Sequence, residues 1–126
     1  MIVKSFVICM VFMVVPWFFK AAYAQPKIRP DQALKFVGKQ AVVCGQVMNT
    51  LYDPKHPKKV TILNLDRAYP NHIFTIVIYG EYRSKFAKPP EVNYRGKRVC
   101  VSGTVSTFQG RARMLVDRPE QIKLDQ

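Results

Sequence analysis

Acidic side chains are scarce in this chain: of 126 residues, eight are Asp or Glu, against 20 that are Lys or Arg. The carboxylates are scattered, and they form no Asp-x-Asp pair or dense cluster of the kind that holds a hard cation. Ser, His and Asp are present, but not in a recognisable nucleophile motif. The sequence therefore predicts a protein that is not an enzyme and that has no cofactor and no metal site.

Long hydrophobic runs are also missing, except at the N-terminus, where residues 5–19 are apolar apart from Ser5. This run is shorter than the roughly 20 residues that span a bilayer. Lys4 provides a positive start, and Ala22-Tyr23-Ala24 fits the small-x-small rule of a cleavage site. The pattern predicts a signal peptide over 1–24, hence an exported protein, periplasmic or secreted, with no stable membrane span after cleavage. Lys20 lies unusually close to the predicted cleavage site, so an uncleaved membrane anchor remains the alternative.

Cysteine is rare as well, with Cys9 in the predicted leader and Cys44 and Cys100 beyond it. No Cys-x-x-Cys and no close Cys/His spacing exists, so the patterns of zinc and redox sites are missing. Two cysteines in an oxidising compartment favour one disulfide bond, whereas in a reducing compartment they would remain free thiols.

The excess of basic residues gives the chain a formal net charge of +12. Loss of the two leader lysines, Lys4 and Lys20, lowers this charge to +10. So strong an excess favours polyanionic partners, namely nucleic acid, anionic lipid headgroups or acidic glycans. Charge alone does not choose among these partners, and solubility is the plain alternative.

Beyond the leader, the pattern predicts an extended lead-in with a short helix (residues 25–38), whose apolar stripe is Ala33, Leu34 and Val37, and one β domain (residues 39–126). Strands are predicted at 40–50, 60–65, 72–79, 98–107 and 112–116, with a final short strand at 121–124. Residues 81–86 are predicted as a short helix or turn that Pro89-Pro90 ends. Gly45 and Gly103 fall in mid-strand, where glycine permits a sharp bend and a close backbone approach. An OB barrel has this chain order: three strands, a short helical connection and two further strands.

The C-terminal part of the chain supports that order. An alternating strand begins at Lys97, and a turn at Gln109-Gly110 connects it to a second strand. A second turn, at Asp117-Arg118-Pro119, precedes the short strand Gln121-Ile122-Lys123-Leu124. With residues 60–65 and 74–80, this resembles small exported bacterial proteins of one OB domain, similar to the anticodon-binding and helicase-type nucleic-acid OB family. The resemblance covers residues 38–124. It implies a mainly β fold, a five-stranded Greek-key OB barrel with a short N-terminal helix and a short helical connection between strands 3 and 4.

The resemblance also implies a nucleic-acid groove across strands 2 and 3, between the loops that join strands 1 to 2 and strands 4 to 5. Those loops and strand 3 bring aromatic rings beside cations, as binding of single-stranded DNA or RNA requires. The predicted binding residues are Tyr52, Lys55, Lys58, Lys59, Tyr79, Phe108, Arg111 and Arg113. Three alternatives stay open: a solvated surface, another anionic polymer, or a protein partner in the envelope. Tyr79 is equally suited to packing at the barrel rim.

In a barrel of this kind strands 1 and 4 are antiparallel neighbours. Cys44 alternates with valines in strand 1 and Cys100 does so in strand 4. If the valines face the core, both cysteines face outward, and we predict a Cys44–Cys100 disulfide.

Overall fold

The computed structural model describes residues 25–125 and, nearer the N-terminus, Met13, Val14 and Pro16. The predicted signal peptide thus lies outside the described residues except at these three positions. Within the described part, no helix has the length and apolar character needed to cross a membrane.

The fold is mainly β, with seven strands joined in one sheet. The strands are β1 (Lys27–Ile28), β2 (Gln40–Tyr52), β3 (Thr61–Leu65), β4 (Phe74–Ile78), β5 (Arg98–Phe108), β6 (Arg111–Leu115) and β7 (Ile122–Leu124). The helices are two 3₁₀ helices (Pro30–Phe36 and Pro119–Gln121), α1 (Gly80–Arg83) and α2 (Pro90–Asn93).

Five of the strands pair in a ring, in the order β2, β3, β4, β6, β5 and back to β2. The β4–β6 pairing is parallel and the other four are antiparallel. Two short strands extend the sheet beside the ring, so the fold is not a clean five-stranded barrel; the second of them was predicted at 121–124, and the first was not predicted. β1 pairs with β2 in parallel and β7 pairs with β5 antiparallel. The sequence predicts the lead-in that contains β1 as an extended segment, and the structure adds that this segment pairs in the sheet.

The two long strands each change partner halfway along, which is what closes the ring. Residues 40–46 of β2 pair with β5, and residues 47–52 pair with β3. Gly45 lies at this change, and a Cβ atom there would come within 2.7 Å of Asp66 Oδ1 and 2.8 Å of Pro30 Cγ. A close approach at this glycine is therefore present, but side chains make it, whereas the sequence predicts the approach of another backbone.

The core fills the ring with the side chains that alternate inward. The largest of these fully buried side chains are Leu63, Leu65, Phe74, Ile76, Ile78 and Met114. The first 3₁₀ helix packs against them. The sequence predicted an apolar stripe of Ala33, Leu34 and Val37, but Leu34 is 54% exposed and Val37 45% exposed. A 3₁₀ helix repeats every three residues, and Pro30, Ala33 and Phe36 accordingly face inward.

The connection between β4 and β5 contains more helix than the short helix or turn predicted over 81–86. It contains two single-turn helices, α1 and α2. Pro90, expected to terminate helical structure, instead occupies the first turn of α2. Proline fits there because its fixed φ suits a helix start and the first-turn N–H has no intrahelical partner.

Cys44 and Cys100 are joined by a disulfide, as predicted, and lie directly opposite each other on β2 and β5. The neighbouring valines of both strands point into the core. Cys44 is nevertheless only 4% exposed. Asp125 accounts for this cover, since its carboxylate lies within 4.8 Å of both sulfur atoms and forms ion pairs with Lys27 and Arg98.

Candidate functional site

The outward side chains of β3, β4 and β6, with those of the adjoining ends of β2 and β5, form one surface, here called the outer face. A polar row crosses it, one residue per strand, in direct register: Asn49, Asn64, Thr75, Arg113 and Ser106. Thr75 Oγ1 donates to Asn64 Oδ1 over 2.7 Å, and Asn64 Nδ2 donates to Asn49 Oδ1 over 3.1 Å. Hydrogen bonds therefore connect three members of the row, Asn49, Asn64 and Thr75, and the central Asn64 is itself buried.

An apolar row runs beside the polar row, again in register: Leu51, Ile62, Val77 and Leu115. Its two ends are open to solvent, since Leu51 is 53% exposed and Leu115 is 42% exposed. Its centre is covered, since Val77 is 6% exposed. The outer face thus offers polar and apolar contact side by side.

One end of the outer face carries the hairpin cluster, made of Tyr69, His72, Phe108, Arg111 and Arg113. β5 and β6 form this hairpin through Gln109 and Gly110, both of which have positive φ. The Arg113 guanidinium lies 4.8 Å from the centre of the Phe108 ring, which is 54% exposed. The ring and the cation predicted from the sequence are therefore in contact.

Arg111 turns to His72, which precedes β4. Arg111 Nη1 lies 2.9 Å from Nδ1 and 2.8 Å from Nε2 of His72, and the Tyr69 ring stacks on the imidazole with centroids 5.5 Å apart. Partial burial, reinforced by the charge of Arg111, lowers the pKa of His72 below its ordinary value.

The opposite end carries the loop cluster, made of Lys58, Lys59, Tyr79 and Gly80. Gly80 N–H donates to the Lys58 carbonyl over 2.9 Å, and a Cβ atom on Gly80 would lie 2.7 Å from Lys59 Cβ. This docking places Lys58 Nζ 4.7 Å from the centre of the Tyr79 ring. Tyr79 follows the end of β4 and lies four positions along the chain from Thr75, about 13 Å at strand spacing.

The remaining predicted residues of that end lie apart from the loop cluster. Tyr52 is the last residue of β2, not a loop residue, and its ring is covered by the Arg83 guanidinium at 3.8 Å. Arg83 is held by Glu91 through hydrogen bonds of 2.6 and 2.7 Å and also donates to Thr61. These hydrogen bonds lower the pKa of Glu91 and raise that of Arg83. Lys55 is exposed on the loop between β2 and β3.

The cations of the outer face are not neutralised by carboxylates. Among residues 25–125, the ion pairs involve Lys27, Arg29, Arg83, Arg98 and Arg118. None of Lys55, Lys58, Lys59, Arg111 and Arg113 is among them. Their positive charge is therefore available to an anionic ligand.

A metal site is not suggested by the donor groups that come together. In the described part of the chain, one trio of potential metal ligands converges: Cys44, Cys100 and Asp125. The disulfide removes both thiolates, and Asp125 already pairs with Lys27 and Arg98. Thiolate, not disulfide sulfur, is the metal ligand.

Sequence reasoning missed several residues of the outer face. Asn49, Asn64 and Thr75 carried a signal, since each is a polar residue at an outward position of a predicted strand. Tyr69 and His72 carried none, because the loop between β3 and β4 brings them beside Arg111 only in the folded chain.

Comparison with known proteins does not identify a family for this chain. No family model and no curated protein matches the chain. Among solved structures, it is similar to a protein assigned as an aspartyl-tRNA synthetase from Leishmania major Friedlin, with 13% identity and a TM-score of 0.46. The match covers 79% of this chain but spans only 21% of that one.

Proposed function

We propose that the ring of strands is an OB-type barrel and that the protein is an exported, non-catalytic module that binds single-stranded nucleic acid on its outer face. The chain order and the cyclic pairing of β2, β3, β4, β6 and β5 support the barrel assignment. In this proposal the loop between β2 and β3 and the β5–β6 hairpin flank the ligand.

One observation carries the proposal: both ends of the outer face hold an aromatic ring in contact with an un-neutralised cation. These pairs are Lys58 with Tyr79 and Arg113 with Phe108. Cations attract phosphates, and rings stack on bases whatever the sequence. The partly exposed members of the polar row between the two clusters offer hydrogen-bonding groups to a strand that crosses the face, whereas Asn64 is buried and supports its neighbours.

A single strand suits this surface better than a duplex. Stacking requires a base whose face is uncovered, and duplex bases are already stacked on one another. Because the aromatic contacts tolerate any base, the protein is expected to discriminate weakly between sequences.

A second candidate is an envelope module that binds another anionic polymer or a protein partner. A specific observation favours it: the rings of Tyr79 and Phe108 already have one cation each placed over them. If those cations stay in place, the rings cannot stack on bases from that side. The surface would then recognise charge rather than bases.

Titration of the wild-type protein with fluorescent oligodeoxythymidylate, the matching duplex and heparin, each at several salt concentrations, separates the candidates. The proposal expects the single strand to bind more tightly than the duplex, with affinity that falls steeply with salt. Equal affinity for all three polymers would favour the second candidate. Absence of oligonucleotide binding even at low salt would refute the proposal.

Export is part of the same proposal: residues 1–24 are removed as a signal peptide, and residues 39–126 form the binding domain. The Cys44–Cys100 disulfide is consistent with an oxidising compartment. The intact mass of protein recovered from cells tests this directly, and a full-length mass would refute cleavage.

A further inference from the structure

Tyr69, His72 and Arg111 converge because two strands start side by side. β4 and β6 run parallel, with Phe74 opposite Ala112. His72, two residues before Phe74, and Arg111, one residue before Ala112, therefore lie at the same end of the sheet. Tyr69, from the same loop as His72, stacks on the imidazole at an interplanar angle of 19°. Three side chains from two segments thus form one compact group, here called the imidazole triad.

The contact between Arg111 and His72 depends on the charge of the imidazole. A neutral imidazole has one nitrogen with a free lone pair that can accept from a cationic donor, and Arg111 Nη1 lies within 2.9 Å of both ring nitrogens. A protonated imidazole has two N–H donors and no acceptor. Protonation therefore removes the partner of Arg111 and leaves two cations in contact.

The surroundings of the triad contain nothing anionic to balance that second charge. Among the described residues, no carboxylate lies within 4.0 Å of either cation. The charge that acts on His72 is that of Arg111, and the ring stacked on it is that of Tyr69. An aromatic ring stabilises a cation that lies over its face.

We propose that the imidazole triad is a phosphate-binding subsite of the outer face, in which protonated His72 and Arg111 together hold one backbone phosphate of the nucleic acid. Both side chains then donate hydrogen bonds to phosphate oxygens, and Tyr69 stacks on the imidazolium. This subsite rests on the proposed function. It implies that His72 takes up one proton when the nucleic acid binds.

The direction of the pH effect on nucleic-acid binding follows from the thermodynamic linkage between protonation of His72 and phosphate binding. Burial and Arg111 keep His72 neutral at neutral pH by lowering its pKa. A bound phosphate would favour the charged imidazole and raise that pKa, so binding takes up a proton and strengthens as the pH falls. A rise of about one pKa unit corresponds to about tenfold higher affinity at low pH.

The experiment measures the affinity of the whole protein for fluorescent oligodeoxythymidylate at about pH 5 and about pH 8, a range that brackets imidazole titration. Thymine and phosphodiester groups do not titrate there, so a change reports on the protein. We expect about tenfold tighter binding at the lower pH. His72→Gln should lose this dependence, while His56→Gln, at the chain's other histidine, should keep it.

NMR titration of the His72 ring with and without the oligonucleotide tests the subsite independently of the variants. A higher His72 pKa in the complex is expected. Oligonucleotide binding with the same affinity at both pH values, or an unchanged His72 pKa, would overturn the subsite and leave the proposed function standing. Failure to bind at either pH would overturn both. Equal pH dependence with heparin would assign the triad to anions in general and so also overturn a nucleic-acid subsite.

Discussion

Cys44 on β2 and Cys100 on β5 lie in direct cross-strand register, and their disulfide bridges the pairing that closes the ring. The bond links positions 56 residues apart in sequence. A link of that span lowers the chain entropy of the unfolded state by an amount worth about 4 kcal/mol in the loop-closure model. The disulfide is therefore a major contributor to the stability of this small domain.

We expect reduction to lower the free energy of unfolding by up to about 4 kcal/mol. Urea unfolding of oxidised and reduced protein, with the redox state checked by mass, measures this difference. The Cys44→Ala/Cys100→Ala double variant should match the reduced protein and be insensitive to reductant. An unchanged unfolding midpoint after complete reduction would show that the ring does not depend on the bond.

A substitution at Gly45 tests the packing at the point where β2 changes its pairing from β5 to β3. A methyl group there would overlap Asp66, whose Oδ1 accepts the Gln46 N–H over 2.8 Å, and the ring of Pro30. We expect Gly45→Ala to lower the free energy of unfolding by about 1–3 kcal/mol, as overpacking does. Gln46→Ala, which trims an exposed side chain next to it, is the control and should unfold close to wild type. Equal urea midpoints for the two variants would contradict the close approach.

The fold was more predictable from the sequence than the site was. Alternation located the strands of the ring to within about two residues, because inward and outward positions of a strand differ in burial. It missed β1, since Lys27–Ile28 is too short to alternate. It misplaced Leu34 and Val37, because three residues cannot reveal whether a helix repeats every 3.6 or every three residues.

The candidate site was predictable only where both partners of a contact are close in sequence. Phe108 and Arg113 flank one hairpin, so their contact follows from the turn. Tyr52 was grouped with the nearby lysines, but Arg83 covers its ring, and no local pattern predicts that pairing. His72 meets Arg111 across the parallel pair β4–β6, whose order in the sheet is a property of the whole fold.

The contribution of Glu91 to the free energy of unfolding is expected to depend on pH. Its carboxylate accepts two hydrogen bonds from Arg83, which lower its pKa in the folded state. A carboxyl with a depressed folded pKa adds stability above its unfolded pKa of about 4.3, and this contribution is lost as the pH falls through the folded value. We expect Glu91→Gln to cost about 2 kcal/mol at neutral pH and progressively less below about pH 4.

Urea unfolding at a series of pH values measures that difference. Glu120→Gln is the matched control, because Glu120 is exposed and forms none of the ion pairs found in residues 25–125. A constant difference between wild type and Glu91→Gln from neutral to acid pH would contradict the role of the carboxylate charge.

Variants of Phe108 and Arg111 distinguish the contribution of base stacking to binding from that of charge within the hairpin cluster. Phe108 carries no charge, so Phe108→Ala should weaken oligodeoxythymidylate binding by about 1–3 kcal/mol and leave its salt dependence unchanged. Arg111→Ala removes a phosphate contact, so it should weaken binding and reduce the slope of log affinity against log salt by about one. Leu34→Ala is the control for apolar truncation, since Leu34 is also 54% exposed but lies on the first 3₁₀ helix.

The same variants titrated with heparin decide between the two candidate functions. Heparin has no bases, so Phe108→Ala should leave its binding unchanged, whereas Arg111→Ala should weaken it as it weakens the oligonucleotide. If Phe108→Ala binds both polymers as wild type does, the ring is only a support for Arg113, and the outer face recognises charge alone. A selective loss for the oligonucleotide means instead that a base replaces Arg113 on the ring or stacks on its uncovered side, which is the feature that distinguishes nucleic acid from other polyanions.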